Sequence, residues 1–281
     1  MDSIVFFKMS GCGNDFIIID NRNNIIDKTD LTGFVKKVCK RKMSVGSDGL
    51  ILIENSKAND FSWRFFNSDG SVAEMCGNGA RCAARFAYIN NIAPKDMSFE
   101  TDAGVIKASV SDNLVKIKMT DPYDITEEFT LALKDGYAAM NSVNTGVPHV
   151  VIHVTDIDKI DVAKIGRELR FHQYFKPAGT NVNFLYARSD GALVVRTYER
   201  GVEGETLACG TGVVASAIIN SNKTTNKSPI KVITKSGGIL NVYFNKDNNK
   251  FSDVFLEGDA RIIYEGKLNK EALEYDVDNV G

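Results

Sequence analysis

The chain has 281 residues, 43% hydrophobic and 25% charged, with a net charge of −2, a balance that predicts a globular protein of two domains. Acidic and basic residues are interspersed with no basic tract or Arg-rich arm, which argues against a nucleic-acid partner. The apolar runs, such as "DFIIID" and "DGLILIE", are strand-sized and far too short to span a bilayer.

The opening "MDSIVFFKMSG" lacks a basic start, an apolar centre and a small-residue cleavage site, so it does not read as a signal peptide. "SIVFFKMSG", "NDFIIIDN" and "GLILIENS" read as strands, with a helix at "DLTGFVKKVCKRK" before the third. "WRFFNSDGS" is a strand running into a turn, and "CGNGARCAARFAYINN" a helix opening near its cysteine. "MSFETDAGVIKASVSDNLVKIKM" is a meander with turns at Ala103-Gly104 and Asp112-Asn113. "DPYD", where a proline breaks regular structure, marks the expected domain boundary. Beyond it come the strand "GVPHVVIHV", the helix "DVAKIGRELR", the strands "VNFLYAR" and "GALVVRTYER", the helix "CGTGVVASAIINSNK", and a last pair of strands in "IKVITKSGGILNVYF". The closing "EYDVDNVG" is polar and expected to fray.

The two halves share this grammar because they share landmarks. Cys76 and Cys209 stand 133 residues apart, and Gly77, Gly79, Gly46 and Gly13 map onto Gly210, Gly212, Gly179 and Gly146 at the same spacing. One offset across so many positions indicates a duplication.

The cysteines carry the chemistry. Cys12, Cys39, Cys76, Cys82 and Cys209 are odd in number, scattered, and contain no C-x-x-C; with His149, His153 and His172 they form no zinc pattern. They are expected to be reduced thiols in a cytoplasmic protein without a metal. One Cys-Gly-x-Gly before a helix is more often packing than chemistry. Two at equivalent places in duplicated domains are different. A helix start exposes unbonded N–H groups and partial positive charge, which lowers a thiol pKa and receives a carboxylate. Two thiols flanking one carbon suit removal of a proton from one face and its delivery to the other: racemisation or epimerisation. Two such thiols should also be oxidation-sensitive.

"KMSGCGNDFIIID", "VGSDGLILIE", "FFNSDGSVAEMCGNGARCAARF", "TDAGV", "NTGVPHVV", "GTNVNF" and "TYERGVEGETLACGTGVVAS", seven stretches in order over nearly the whole chain, resemble the diaminopimelate epimerase family. The resemblance implies an α/β (α+β) fold of two similar pseudo-symmetric domains, each a mixed or antiparallel sheet wrapped around a central helix, with the active site between them. The expected domains are 1–120, completed by 266–281, and 121–265. It further implies cofactor-independent interconversion of LL- and meso-2,6-diaminopimelate in lysine and peptidoglycan precursor biosynthesis. The implied enzyme is a cytoplasmic homodimer whose partner is this small-molecule substrate, with no nucleic acid, membrane or metal involved. Carried over by position, Cys76 and Cys209 are the acid/base pair, and Gly77, Asn78, Gly210 and Thr211 cradle the reacting carboxylate. Asn14, Asn67 and Asn181 bind substrate. Glu199 and Arg200 hold the distal end, and His149 and Glu199 tune the thiols. The chain departs from the family pattern at Val147, where many members have asparagine, and at Gly49, where some have glutamine.

Two other readings fit part of the sequence. A proline or hydroxyproline racemase of the same fold typically has histidine where this chain has Asn78 and lacks the "YERG" pair. A non-catalytic amino-acid-binding protein would have no need of two cysteines.

Overall fold

Most of the expected strands and helices form where the alternation and the cap residues place them. The computed structural model describes residues 4–26, 29–224 and 227–275. In chain order these form β1 (Ile4–Gly11), β2 (Asn14–Asp20), α1 (Leu31–Cys39), β3 (Gly49–Glu54), β4 (Phe61–Asn67), α2 (Gly77–Ile89), β5 (Asp96–Thr101), β6 (Gly104–Ser111) and β7 (Leu114–Lys118). Then follow β8 (Tyr123–Leu133), β9 (Gly136–Asn144), β10 (Pro148–His153), α3 (Val162–Arg170), β11 (Asn181–Ala187), β12 (Leu193–Glu199), β13 (Gly204–Thr206), α4 (Gly210–Lys223), β14 (Ile230–Ile233), β15 (Ile239–Asp247), β16 (Lys250–Asp259) and β17 (Arg261–Leu268). Two compact units result: Met1–Ile117 with Asp259–Gly281, and Lys118–Gly258.

The first unit runs β17-β1-β2-β3-β4-β5-β6-β7, with β2–β3 and β4–β5 parallel and its other neighbours antiparallel. The second runs β8-β9-β10-β11-β12-β14-β15-β16, with β10–β11 and β12–β14 parallel and the rest antiparallel. The sequence of parallel and antiparallel joints is the same in both, so the duplication extends to topology. Backbone conformation repeats as well: Gly46 and Gly179 have φ of +74° and +68°, a left-handed turn that strains any side chain.

Each unit has an outer and an inner helix. The outer ones carry Asp caps: Asp30 accepts from Gly33 N at 2.9 Å and Asp161 from Lys164 N at 3.0 Å. α1 buries Val35, Val38 and Cys39 against Ile17, Ile19, Leu50 and Leu52, and α3 buries Val162 and Leu169 among Val150, Val182, Phe184 and Tyr198. The opposite faces of those strands receive the inner helices. α2 lies against β1, β2, β3 and β6, and α4 against β9, β10, β11, β12, β14 and β15. Their middles are small or apolar, Ala80, Ala83, Ala84 and Ala87 in one and Val213, Val214, Ala215 and Ala217 in the other, so a sheet can close around them.

Four of the longer strands, β8, β9, β16 and β17, escape the expected list. β8 reads "YDITEEFTLAL", largely exposed with two register shifts, so charges and bulges blur its alternation. β16 and β17 follow the pair expected to be last; β17 returns to the first unit along β1 and places Leu268 in its core. The tail behaves differently from a frayed end at Tyr275, whose hydroxyl donates to Lys37 O at 2.6 Å; residues 276–281 lie outside the described residues.

Candidate active site

Cys76 and Cys209 are the N-cap residues of α2 and α4, both with extended backbone (φ −143° and −118°), and neither thiol caps its own helix. The first helical bonds are Ala80 N to Cys76 O at 2.8 Å and Val213 N to Cys209 O at 2.9 Å. The amides of Gly77, Asn78 and Gly79, and of Gly210, Thr211 and Gly212, thus precede the helical ladder and can donate outward. Neither first turn holds an acidic residue, so the helix-start field is not cancelled. Cys76 is half-buried and Cys209 is 7% exposed, its Sγ 3.5 Å from Thr211 Oγ1.

The remaining cysteines are packing. Burial pushes the Cys82 thiol up to about 12 and those of Cys12 and Cys39 up to about 11, far from thiolate chemistry at neutral pH. Cys12 is 2% exposed and lies 3.6 Å from Asp259 Oδ1.

At the helix start of the first unit, Asn78 Nδ2 donates to Asn14 Oδ1 at 2.6 Å, and Asn14 Nδ2 donates to Asp48 at 3.1 Å. The Asn78 side-chain Oδ1 accepts from Arg81 Nη2 at 2.7 Å. Arg81 is 0% exposed and also reaches Gly77 O at 3.3 Å and Asp259 O at 3.4 Å. Sequence reasoning missed Arg81 and Asp48, which orient the two asparagines. Asp48 shares Arg41 with Asp15; burial pulls the Asp15 carboxyl up, but Arg41 and Lys8 more than offset it and hold it down at about 2. Asn67 stands apart on the exposed end of β4, bonded to Ser71 Oγ at 3.0 Å. Gly49 opposes it, and a Cβ there would meet Phe65 Cε2 at 2.6 Å and Phe66 O at 2.7 Å, which is why no side chain occupies the position.

In the second unit, His149, Asn181 and Glu199 form one cross-strand row at the ends of β10, β11 and β12. Asn181 ties the row together, donating to Pro148 O at 3.1 Å and accepting from Arg200 N at 2.9 Å. Burial, with the Arg200 charge adding to it, pushes the His149 imidazole down to about 3, so the ring is neutral. Burial raises the Glu199 carboxyl, the Thr206 hydroxyl acting in the opposite direction. The Arg200 guanidinium donates to Ala178 O at 2.9 Å. Beneath the row lie Asn183 and Thr197, also missed; the polar residue two positions after Asn181, on the same strand face, was the available signal.

Comparison with known proteins gives the family and the fold. A family model described as diaminopimelate epimerase matches residues 6–125 and 141–263. The diaminopimelate epimerase of Aquifex aeolicus (strain VF5) is 49% identical, over 96% of this chain and 99% of its own. That of Methanocella arvoryzae is 40% identical over 96% and 98%. Among solved structures, a PhzF-family phenazine biosynthesis protein of Bacillus anthracis superposes with a TM-score of 0.71 at 16% identity, covering 96% of this chain and 100% of that one. A probable proline racemase from Agrobacterium radiobacter K84 gives 0.67 at 12%, covering 99% and 97%. These two share the fold, and no helix among the described residues is long and apolar enough to cross a membrane. The matched family model spans both repeats, each with its cysteine-capped inner helix, and the chain belongs to the diaminopimelate epimerase family.

Proposed function

We propose that the chain interconverts LL- and meso-2,6-diaminopimelate by a two-base mechanism without a cofactor, as the names of its relatives indicate. The observation that carries this reading is the pair of cysteine N-caps, each followed by three amides ahead of the helical ladder. The thiolate of Cys76 or Cys209 takes the α-proton, leaving the electron pair on carbon and the α-carboxylate. The other cysteine's thiol donates its proton to the opposite face and becomes the thiolate. The two roles exchange when the reaction reverses. Gly77, Asn78, Gly210 and Thr211 hold the α-carboxylate, whose charge grows in the transition state, and fixed amides stabilise that growth. Asn14, Asn67 and Asn181 orient the substrate, while Glu199 and Arg200 receive its distal ammonium and carboxylate. His149 and Glu199 set the proton affinity of the thiols. Each repeat supplies one thiol, and the enzyme acts as a cytoplasmic homodimer in the supply of lysine and peptidoglycan precursors.

The test is α-proton exchange in deuterated water with reduced protein and no added cofactor. LL- and meso-diaminopimelate are expected to be labelled and isomerised, and proline and lysine not. Loss of isomerisation in Cys76→Ser and in Cys209→Ser is expected to reach several orders of magnitude. Labelling of proline in place of diaminopimelate would reassign the substrate.

A further inference from the structure

The turn between β12 and β13 carries Arg200, next to Glu199 at the end of β12, and it is exposed, Val202 at 63%. Its backbone is nonetheless bound at three points. Arg200 N donates to Asn181 Oδ1 at 2.9 Å, Glu203 N donates to Glu199 O at 2.9 Å, and Gly201 N donates to Glu203 Oε1 at 3.1 Å. Glu203 has φ +57°, a left-handed conformation that glycine takes freely and a glutamate does not. An outlier of this kind directs attention to the contacts of its side chain.

Glu203 uses both carboxylate oxygens. Oε1 accepts from Arg170 Nε at 3.0 Å as well as from Gly201 N, and Oε2 accepts from the Tyr198 hydroxyl at 3.4 Å. Burial raises the Glu203 carboxyl, but the Gly201 N–H and the Arg170 charge outweigh it and hold it below its ordinary value, so the pair is ionic. Arg170 is the last residue of α3, its guanidinium 4.7 Å from the centroid of the Phe171 ring. A Cβ on Gly179 would run into that guanidinium, so the 176–180 loop lies directly against it. The same loop receives the Arg200 side chain, which donates to Ala178 O at 2.9 Å. An arginine has five N–H donors, so this bond orients the guanidinium and leaves donors for a carboxylate. Arg170 thus supports the Glu199–Arg200 pair twice, through Glu203 and through the loop that Arg200 grips. In the first unit the turn after β4 meets its outer helix by close packing instead: a Cβ on Gly70 would meet Thr32 Cγ2 at 2.8 Å and Thr32 O at 2.9 Å.

We propose that Glu203, clamped by Arg170, is a positioning residue that sets Glu199 and Arg200 for the distal ammonium and carboxylate of the substrate. This rests on the distal-end role of those two residues. A guanidinium and a carboxylate form their strongest contacts in a fixed geometry. Ordering a loose turn at the moment of binding would subtract from affinity, and a turn already held in place avoids that loss. Neither Glu203 nor Arg170 has to touch the substrate. The bonds of the clamp join α3, β12 and two loops, so its effect falls on substrate binding ahead of the thiol chemistry.

The experiment is a double-mutant cycle of Glu203→Ala and Arg170→Met, with Glu203→Gln and Arg200→Met alongside. It is read by steady-state kinetics on LL-diaminopimelate and by iodoacetamide alkylation of Cys76 and Cys209 in the free enzyme, resolved by peptide mass. KM is expected to rise about tenfold in each single variant of the cycle, with kcat within about threefold and both alkylation rates unmoved. The double variant is expected to have a KM no higher than the worse single, because the two residues act as one clamp. Glu203→Gln keeps an acceptor for Gly201 N and is expected to raise KM about threefold; it decides the matter if thermal melts show Glu203→Ala unfolded. A fall in kcat at constant KM, a KM that stays at the wild-type value, losses that multiply in the double variant, or altered alkylation overturn the proposal. Arg200→Met keeps two failures apart. A raised KM there with a wild-type KM in the Glu203 variants overturns the clamp alone, whereas a wild-type KM in Arg200→Met overturns the distal-end role of Arg200 and the proposal with it.

Discussion

His149 ties site chemistry to stability at the level of a single residue. The unfolded chain protonates this ring near 6.5, whereas the folded ring stays neutral down to about 3. Between those values the unfolded state holds more protons, so stability falls as pH drops through that window. Urea titrations of wild type and His149→Phe from about pH 7 to about pH 4 are expected to show a smaller acid loss in the variant; parallel curves would mean that the ring is not buried neutral. Arg81 makes a second case. It is buried beneath Asn78 with carbonyl oxygens as its main acceptors. Arg81→Met removes every one of those donors, and a loss of about 2–4 kcal/mol in urea unfolding is expected. The two cysteines were legible because a glycine-rich helix start repeated at a fixed spacing is a local pattern. Asn183 was not, since His149, Val150 and Thr197 lie on other strands, and Arg81 was not, since its full burial is set by packing although Asn78 and Gly77 share its helix. Asn183 sits within a strand whose sequence reads equally well with or without a polar network beneath it.

Among the elements, the outer helices announced themselves through Asp caps and apolar spacing, and both formed within a few residues of expectation. The inner helices have no side-chain caps, so what specifies them is small residues and enclosure by strands. Close approach matters at the outer helices as well. A Cβ on Gly166 would lie 2.4 Å from Tyr198 Cβ and 2.6 Å from its ring, so α3 packs on β12 with no room to spare. Gly166→Ala raises intrinsic helix propensity by about 1 kcal/mol, yet a net destabilisation of about 1–3 kcal/mol is expected from overpacking. Thermal melts decide between the two effects; a stabilised variant would show that the contact yields. The strands that escaped expectation, β8, β9, β16 and β17, are those whose alternation is interrupted by exposed charge or register shifts. Gly49 is an element-scale departure too. A Cβ there would meet the Phe65 ring and the Phe66 carbonyl oxygen, so the close packing of β3 on β4 keeps the position a glycine.

At the scale of the whole molecule, the duplication explains why one inspection of the sequence reached both thiols, and the chain path explains what it missed. The second unit is a continuous segment, Lys118–Gly258, and its sheet is built from consecutive strands, β8 through β16. The first takes β17 from beyond it, with Leu268 in its core and Tyr275 bonded to Lys37. Residues 118–258 expressed alone are therefore expected to unfold cooperatively in denaturant, whereas residues 1–117 alone are expected to be largely unstructured and protease-sensitive; circular dichroism and limited proteolysis check both. By itself the sequence determined the repeat, most of the strands and helices, the family and the two cysteines, because each is written in short-range spacing of residue types. Only the tertiary structure decided that Gly49 is in contact with Phe65, and that His149, Asn183 and Thr197 stand at the strand registers that Phe16, Ile51 and Phe65 hold in the first unit. Those are relations across strands, set by register, burial and hydrogen-bond direction, which become fixed when distant segments pack.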